Sequence, residues 1–209
     1  MARALPPHVE AVVFDEAEIA LTVRRLAAEV ARGSGDEAIT LVCVLKGALF
    51  FLADLARALP TRLDVTLDCI AVSSYGASHR SSGEVRLVKD ASTDLEGKHV
   101  VIVEDIVEDG LTLEYLTGLL SSRQPASLRL CVLLDKPYRR RAAVRADYTG
   151  LVAPDAFIVG YGLDYQEKYR NLPYLARLSP KAFEEWGTAS QIGRGRPVKL
   201  PGAPRNREA

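Results

Sequence analysis

The stretch VVIVEDIVEDGLTL, Val100 to Leu113, decides how this chain reads. A short apolar run, Val100 to Val103, stops at two adjacent acids, Glu104 and Asp105. Two apolar residues follow, then Glu108 and Asp109, then Gly110 and a helix-like segment beginning near Leu111. The pattern predicts a buried strand, an acidic loop and a helix N-terminus. In an open parallel sheet, ligands bind outside the carboxyl ends of the strands. Backbone N–H groups at the start of the next helix point into that crevice and favour an anion. Acids beside an anion site suit a ligand that carries a phosphate together with sugar hydroxyls or Mg2+.

Working outward, residues 1–13 read as a short lead-in. Asp15 with Glu18 three later fits a capping box. Ile19, Val23, Leu26, Ala27 and Val30 then give one apolar helix face ending near Gly33. Ile39 to Leu45 is a nearly continuous apolar run, as in a strand covered on both faces. A helix is predicted from Gly47 to Leu59, a strand from Asp64 to Val72, and a mobile polar loop from Ser73 to Ser82. Gly83 to Lys89 reads as a strand antiparallel to the one before. Val100–Val103, Leu128–Leu134 and Phe157–Val159 read as further core strands, with a helix over Leu113–Leu120. Arg139 to Arg141, after Lys136-Pro137, read as an exposed turn. This β-α-β alternation implies a parallel sheet with right-handed crossovers.

The 209 residues suit one domain with a substantial core. Lys plus Arg and Asp plus Glu both number 27, so no global field recruits nucleic acid or a membrane surface. Cys43, Cys69 and Cys131 lie apart in apolar runs without CxxC spacing. They read as reduced core residues in a cytoplasmic protein. No apolar stretch approaches the roughly 18 residues of a membrane span. From Gly187 onward, Gly, Pro and Arg recur without periodicity, so 187–209 reads as a disordered tail behind a single domain over 12–186.

The Val100–Leu113 segment resembles the phosphoribosyl-pyrophosphate (PRPP) signature of type I phosphoribosyltransferases. Ser73 to Asp90 (SSYGASHRSSGEVRLVKD) and Asp155 to Tyr174 (DAFIVGYGLDYQEKYRNLPY) narrow the resemblance to hypoxanthine-guanine phosphoribosyltransferases. The resemblance implies an α/β fold: a central, mostly parallel twisted sheet flanked by helices, with a small hood subdomain. It implies transfer of phosphoribose from PRPP to hypoxanthine or guanine, Mg2+ as cofactor, small-molecule substrates, and a homodimer or homotetramer. In this likeness Glu104 and Asp105 face the ribose hydroxyls and a Mg2+. Asp109, Gly110, Leu111 and Thr112 form the loop at the 5′-phosphate. Lys46, Gly47 and Arg170 bind pyrophosphate, whose Mg2+ Asp164 ligates. Ser74 and Tyr75 belong to a closing loop. Lys136 donates to the purine 6-oxo group, Phe157 stacks on the base, and Ile158 contacts it through backbone.

Two positions depart from the family pattern. The family usually has Asp where Glu108 stands, near purine N7, as a proton acceptor. The extra methylene moves the carboxylate by roughly 1 Å, and misplacement of that size can cost about a hundredfold in rate. The family usually has Thr or Ser where Asp109 stands. A carboxylate about 4 Å from a phosphate charge costs on the order of 4 kcal/mol per unit charge at an effective dielectric of about 20. Either Asp109 rotates out, or it caps the following helix and its own carboxylate takes the phosphate's place. Three readings therefore stay open: a 6-oxopurine salvage enzyme, a phosphoribosyltransferase for a purine analogue such as a deazapurine, and a catalytically weak binder of nucleotide or PRPP.

Overall fold

The structure, a computed structural model, describes residues 4–74 and 85–183, Ser74 by its backbone alone. Strands β1 to β9 and helices α1 to α3 belong to one compact unit, Met1–Leu178. The main sheet runs β4-β3-β2-β5-β6-β7. Its strands are β2 (Ile39–Leu45), β3 (Val65–Ser74), β4 (Val85–Lys89), β5 (His99–Val107), β6 (Ser127–Asp135) and β7 (Tyr148–Val152). Only β4 runs antiparallel to its neighbour. Helices α1 (Glu16–Ser34) and α2 (Leu49–Ala58) bury Leu26, Val30, Phe51 and Leu55 in one core. Helix α3 (Leu111–Ser121) buries Leu113, Leu116 and Leu120 in a second, with the opposite side chains of β2 and β5. Being covered on both sides explains the unbroken apolar run of β2, whose span is the one read from sequence.

The start of α1 is set by the capping box. Glu18 N–H donates to Asp15 Oδ1 and Asp15 N–H donates to Glu18 Oε2, each at 2.8 Å. A cap of this kind is worth about 1 kcal/mol.

A second, antiparallel sheet of order β1-β9-β8 joins β1 (Val9–Phe14), β8 (Ile158–Val159) and β9 (Leu175–Leu178). It is the small hood. Three sequence expectations change here. Residues 9–14 are a strand rather than a lead-in, because their partner β9 lies far along the chain. Ile158 and Val159 pair in the hood, outside the main sheet, and Phe157 precedes them. Ser73 and Ser74 continue β3, paired with Arg86 and Val85, where a loop was expected. Residues 75–84, with Tyr75, and the expected tail lie outside the described residues.

Of the four acids of the decisive stretch, Glu108 and Asp109 lie in the loop before α3, but Glu104 and Asp105 are strand residues. β5 continues through Glu104 and Asp105 to Val107, held by parallel pairing to β6 as far as Val107 opposite Asp135. Pairing between β2 and β5 ends at Cys43 opposite Val103. Beyond it β2 stays with β3 and β5 stays with β6, so the sheet splits. The sequence neighbours of β2 and β5 lie on opposite sides of that split, which makes it the topological switch point where ligands of open α/β sheets bind.

Candidate active site

The split is where the turn after β2 meets β5. The Leu45–Lys46 peptide is cis. A Cβ at Gly47 would stand 1.7 Å from Asp105 Oδ2, so only glycine lets this turn pass the acid. A Cβ at Gly162 would stand 1.9 Å from the Gly47 carbonyl oxygen. Lys46-Gly47, Asp105 and Gly162 are thereby brought together at the crevice floor.

Burial raises the proton affinity of both Glu104 and Asp105. Burial pushes Glu104 well above the usual carboxylate range, and the charge of Asp105 adds to the effect. Burial also raises Asp105, although its contact with Glu104 and the Ile106 N–H oppose it. Among the described residues, the buried Glu104 Oε2 has no hydrogen-bond partner. An orphaned carboxylate oxygen beside a second carboxylate fits a hard cation, which would reverse both shifts. Among the described residues no three acid, His or Cys side chains converge on one metal position. Mg2+ is commonly held by one or two carboxylates plus substrate phosphates, so this donor set fits a metal that arrives with its substrate.

Gly110 opens α3 in the left-handed conformation, φ 85°. Asp109 lies just before it, and its Oδ1 accepts the Leu111 N–H at 3.1 Å. Its carbonyl oxygen accepts from Arg141 and Ala142, both at 2.9 Å, which pins the backbone and leaves the carboxylate at the helix start. The N-cap of α3 is Gly110, with no side-chain cap bond, so Asp109 does not N-cap the helix; its carboxylate sits one residue earlier and accepts the N–H of the first helical residue, Leu111. Thr112 lines the same cavity of about 190 Å³, together with Glu104, Glu108, Asp109 and Gly110.

Lys136 follows β6 and is 1% exposed, so it is no surface lysine. Its Nζ donates to Glu108 Oε1 and, at 2.9 Å, to the Ala156 carbonyl. An ammonium has three donors, and among the described residues one remains. Phe157, next to that carbonyl, is 41% exposed and meets Tyr165 edge-on at 5.5 Å between centroids. A core role is thus excluded for Phe157, whereas Ile158 is buried.

Arg170 and Asp164 are joined at 2.8 Å. Arg170 Nη1 donates to the Gly162 carbonyl at 2.8 Å, and among the described residues its buried Nε has no partner. Lys46 Nζ pairs with Glu167 Oε2 at 2.8 Å, and Glu167 Oε1 lies 3.1 Å from Arg170 Nη2.

Several participants were missed by sequence reasoning. Glu167 bridges Lys46 and Arg170. Arg139, expected in an exposed turn, lies in a short 3-10 turn (Pro137–Arg139), pairs with Asp155 and comes within 3.8 Å of Glu108 Oε2. Gly162 and the Ala156 carbonyl hold the two key cations. Glu167 and Gly162 sit inside the quoted segment Asp155 to Tyr174, but no side-chain periodicity marks them there.

A crevice at the switch point, met at Gly47 by the connection between the two later hood strands, defines the class: residues 12–166 match the phosphoribosyl transferase domain family. The chain is 47% identical over 176 residues to the hypoxanthine-guanine phosphoribosyltransferase of Bacillus subtilis, covering 84% of this chain and 97% of the relative. A hypoxanthine phosphoribosyltransferase structure from Staphylococcus aureus superposes with TM-score 0.80 at 40% identity, covering 84% of this chain and 95% of that one. One from Trypanosoma cruzi gives TM-score 0.82 at 40% identity, covering 89% and 100%. The chain belongs to the hypoxanthine-guanine phosphoribosyltransferase family, and it is an enzyme of that family.

Proposed function

We propose that this chain is a Mg2+-dependent salvage enzyme that converts hypoxanthine or guanine and PRPP to IMP or GMP and pyrophosphate. The observation that carries this reading is Lys136: a buried ammonium with one donor to spare, beside the exposed ring of Phe157. A donor-only group suits a 6-oxo acceptor and disfavours the 6-amino group of adenine. Phe157 stacks on the base, and backbone at Ile158 borders it. N9 of the base attacks the anomeric carbon while the carbon–oxygen bond to pyrophosphate breaks, its electrons leaving with pyrophosphate. The proton on N7 passes to Glu108, which Lys136 and Arg139 orient from either side. Lys46, the Gly47 backbone and Arg170 take up charge on the leaving group. Mg2+, held by Glu104 and Asp105 at the ribose and by Asp164 at pyrophosphate, would supply further charge neutralisation. Ser74 and Tyr75 begin the segment that excludes water. The free thiols Cys43, Cys69 and Cys131 support a cytoplasmic setting, and the family likeness supports a homodimer or homotetramer. No described helix is long and apolar enough to cross a membrane.

One observation supports a second reading, a weak PRPP site: the Asp109 carboxylate accepts the Leu111 N–H that a 5′-phosphate would otherwise use.

Lys136→Gln tests the main reading. The variant is expected to lose at least about tenfold in kcat/KM for hypoxanthine and guanine, to discriminate less against adenine, and to keep the KM for PRPP. Unchanged use of hypoxanthine would sink the assignment of Lys136.

A further inference from the structure

We propose that Glu167 is a resident anion of the pyrophosphate site, holding Lys46 and Arg170 until pyrophosphate replaces it. The proposal rests on the reading of those two cations as pyrophosphate ligands. Glu167 spends one carboxylate oxygen on each: Oε2 on Lys46 at 2.8 Å and Oε1 on Arg170 at 3.1 Å. Lys46 and Arg170 come from distant segments, and this one side chain spans them as two oxygens of a phosphate would.

The backbone presents Glu167 for the task. Gln166 and Glu167 are both left-handed, φ 54° and 63°, although neither is glycine. The Glu167 N–H donates to Asp164 Oδ2 at 2.7 Å, which closes a tight loop and turns the side chain back over Arg170. Such φ values in residues with a Cβ persist where surrounding contacts over-determine them, and they concentrate at ligand clamps.

Displacement is built in. Lys46 and Glu167 side chains are 65% and 64% exposed, and an exposed ion pair is held weakly in water. The four groups Lys46, Arg170, Asp164 and Glu167 sum to zero charge. With Glu167 swung away the site carries one net positive charge towards an incoming polyanion. Among the described residues the buried Arg170 Nε has no partner, so its donors are not saturated by the resident acid. The same swap in reverse assists release: as pyrophosphate departs, the carboxylate returns to the cations. Glu167 therefore sets the affinity of the two pyrophosphate-bearing ligands without acting on the base.

The test compares the whole chain with Glu167→Gln, an isosteric change that removes the charge. Magnesium pyrophosphate is titrated by calorimetry, and steady-state constants are measured for PRPP and hypoxanthine. The expected result is pyrophosphate binding tighter by about threefold to tenfold, a KM for PRPP that falls in step, and a KM for hypoxanthine that stays put. A purely structural role would move the hypoxanthine KM and the melting temperature as well. Equal or weaker pyrophosphate binding in Glu167→Gln overturns the proposal. Arg170→Gln separates the two levels of inference. If it binds pyrophosphate as well as the natural chain does, the reading of the site fails; if it binds weakly while Glu167→Gln is unchanged, only the role of Glu167 fails.

Discussion

Asp109 is the residue at which this chain's chemistry diverges most from its likeness. Its carboxylate reaches the first free N–H of α3, the position where helix geometry would favour a phosphate. Asp109→Ser is expected to tighten PRPP binding by at least about tenfold, or about 1.4 kcal/mol, as read by calorimetry or by the KM for PRPP. Serine keeps an oxygen near the Leu111 N–H, so helix stability should change by less than about 1 kcal/mol. Unaltered PRPP affinity would mean that Asp109 swings clear when substrate binds. The identity of the departure was legible in sequence, because an acid stood where a hydroxyl was expected. Its outcome was not, since the place of the carboxylate beside the Leu111 N–H depends on the pinning of the Asp109 backbone by Arg141 and Ala142, some thirty residues away. Lys136 was legible as a strand-end lysine, but its burial depends on Glu108 and Ala156 arriving from other elements.

At the level of elements, the apolar runs told most of the story. β2 has the span its composition gives, because burial on both faces leaves no polar position to blur its ends. The two acids at the end of β5 were misread as loop: charge normally marks solvent, yet here the strand continues into a ligand crevice. The hood strands were hidden for another reason. β8 is two residues long, and β1 finds its partner only at the far end of the chain. A further element-level device ties β3 to the segment after β4. Asp68 is 8% exposed and accepts backbone N–H bonds from Cys69, Ser92 and Thr93 at 2.7, 2.8 and 2.7 Å. Burial alone would raise its proton affinity, but these donors outweigh burial and hold the carboxyl below its ordinary range. A carboxyl depressed in the folded state adds stability that is complete above its unfolded value of about 3.9 and is lost as pH falls through the folded value. Urea unfolding at pH 6 and pH 3 should show a larger acid loss for the natural chain than for Asp68→Asn. Equal losses would show that Asp68 has no part in acid stability.

For the whole molecule, two sheets divide the labour. The six-stranded sheet splits between β2 and β5 and carries the acids, the Lys46-Gly47 turn and Lys136 along one edge. The three-stranded hood carries Ile158, and the connection between its last two strands carries Asp164, Glu167 and Arg170. The proposed reaction demands both halves: Lys136 from the main sheet and Phe157 beside the hood for the base, the split together with Asp164 and Arg170 of the hood connection for PRPP. The measurement that tests this account most directly is a steady-state assay of the purified chain with Mg2+ and PRPP, offering hypoxanthine, guanine, xanthine, adenine and a deazapurine in parallel. The account predicts IMP and GMP as the main products, with adenine rejected and turnover abolished when the divalent cation is chelated. A preference for the deazapurine over both oxopurines, or no turnover with any base, would contradict it.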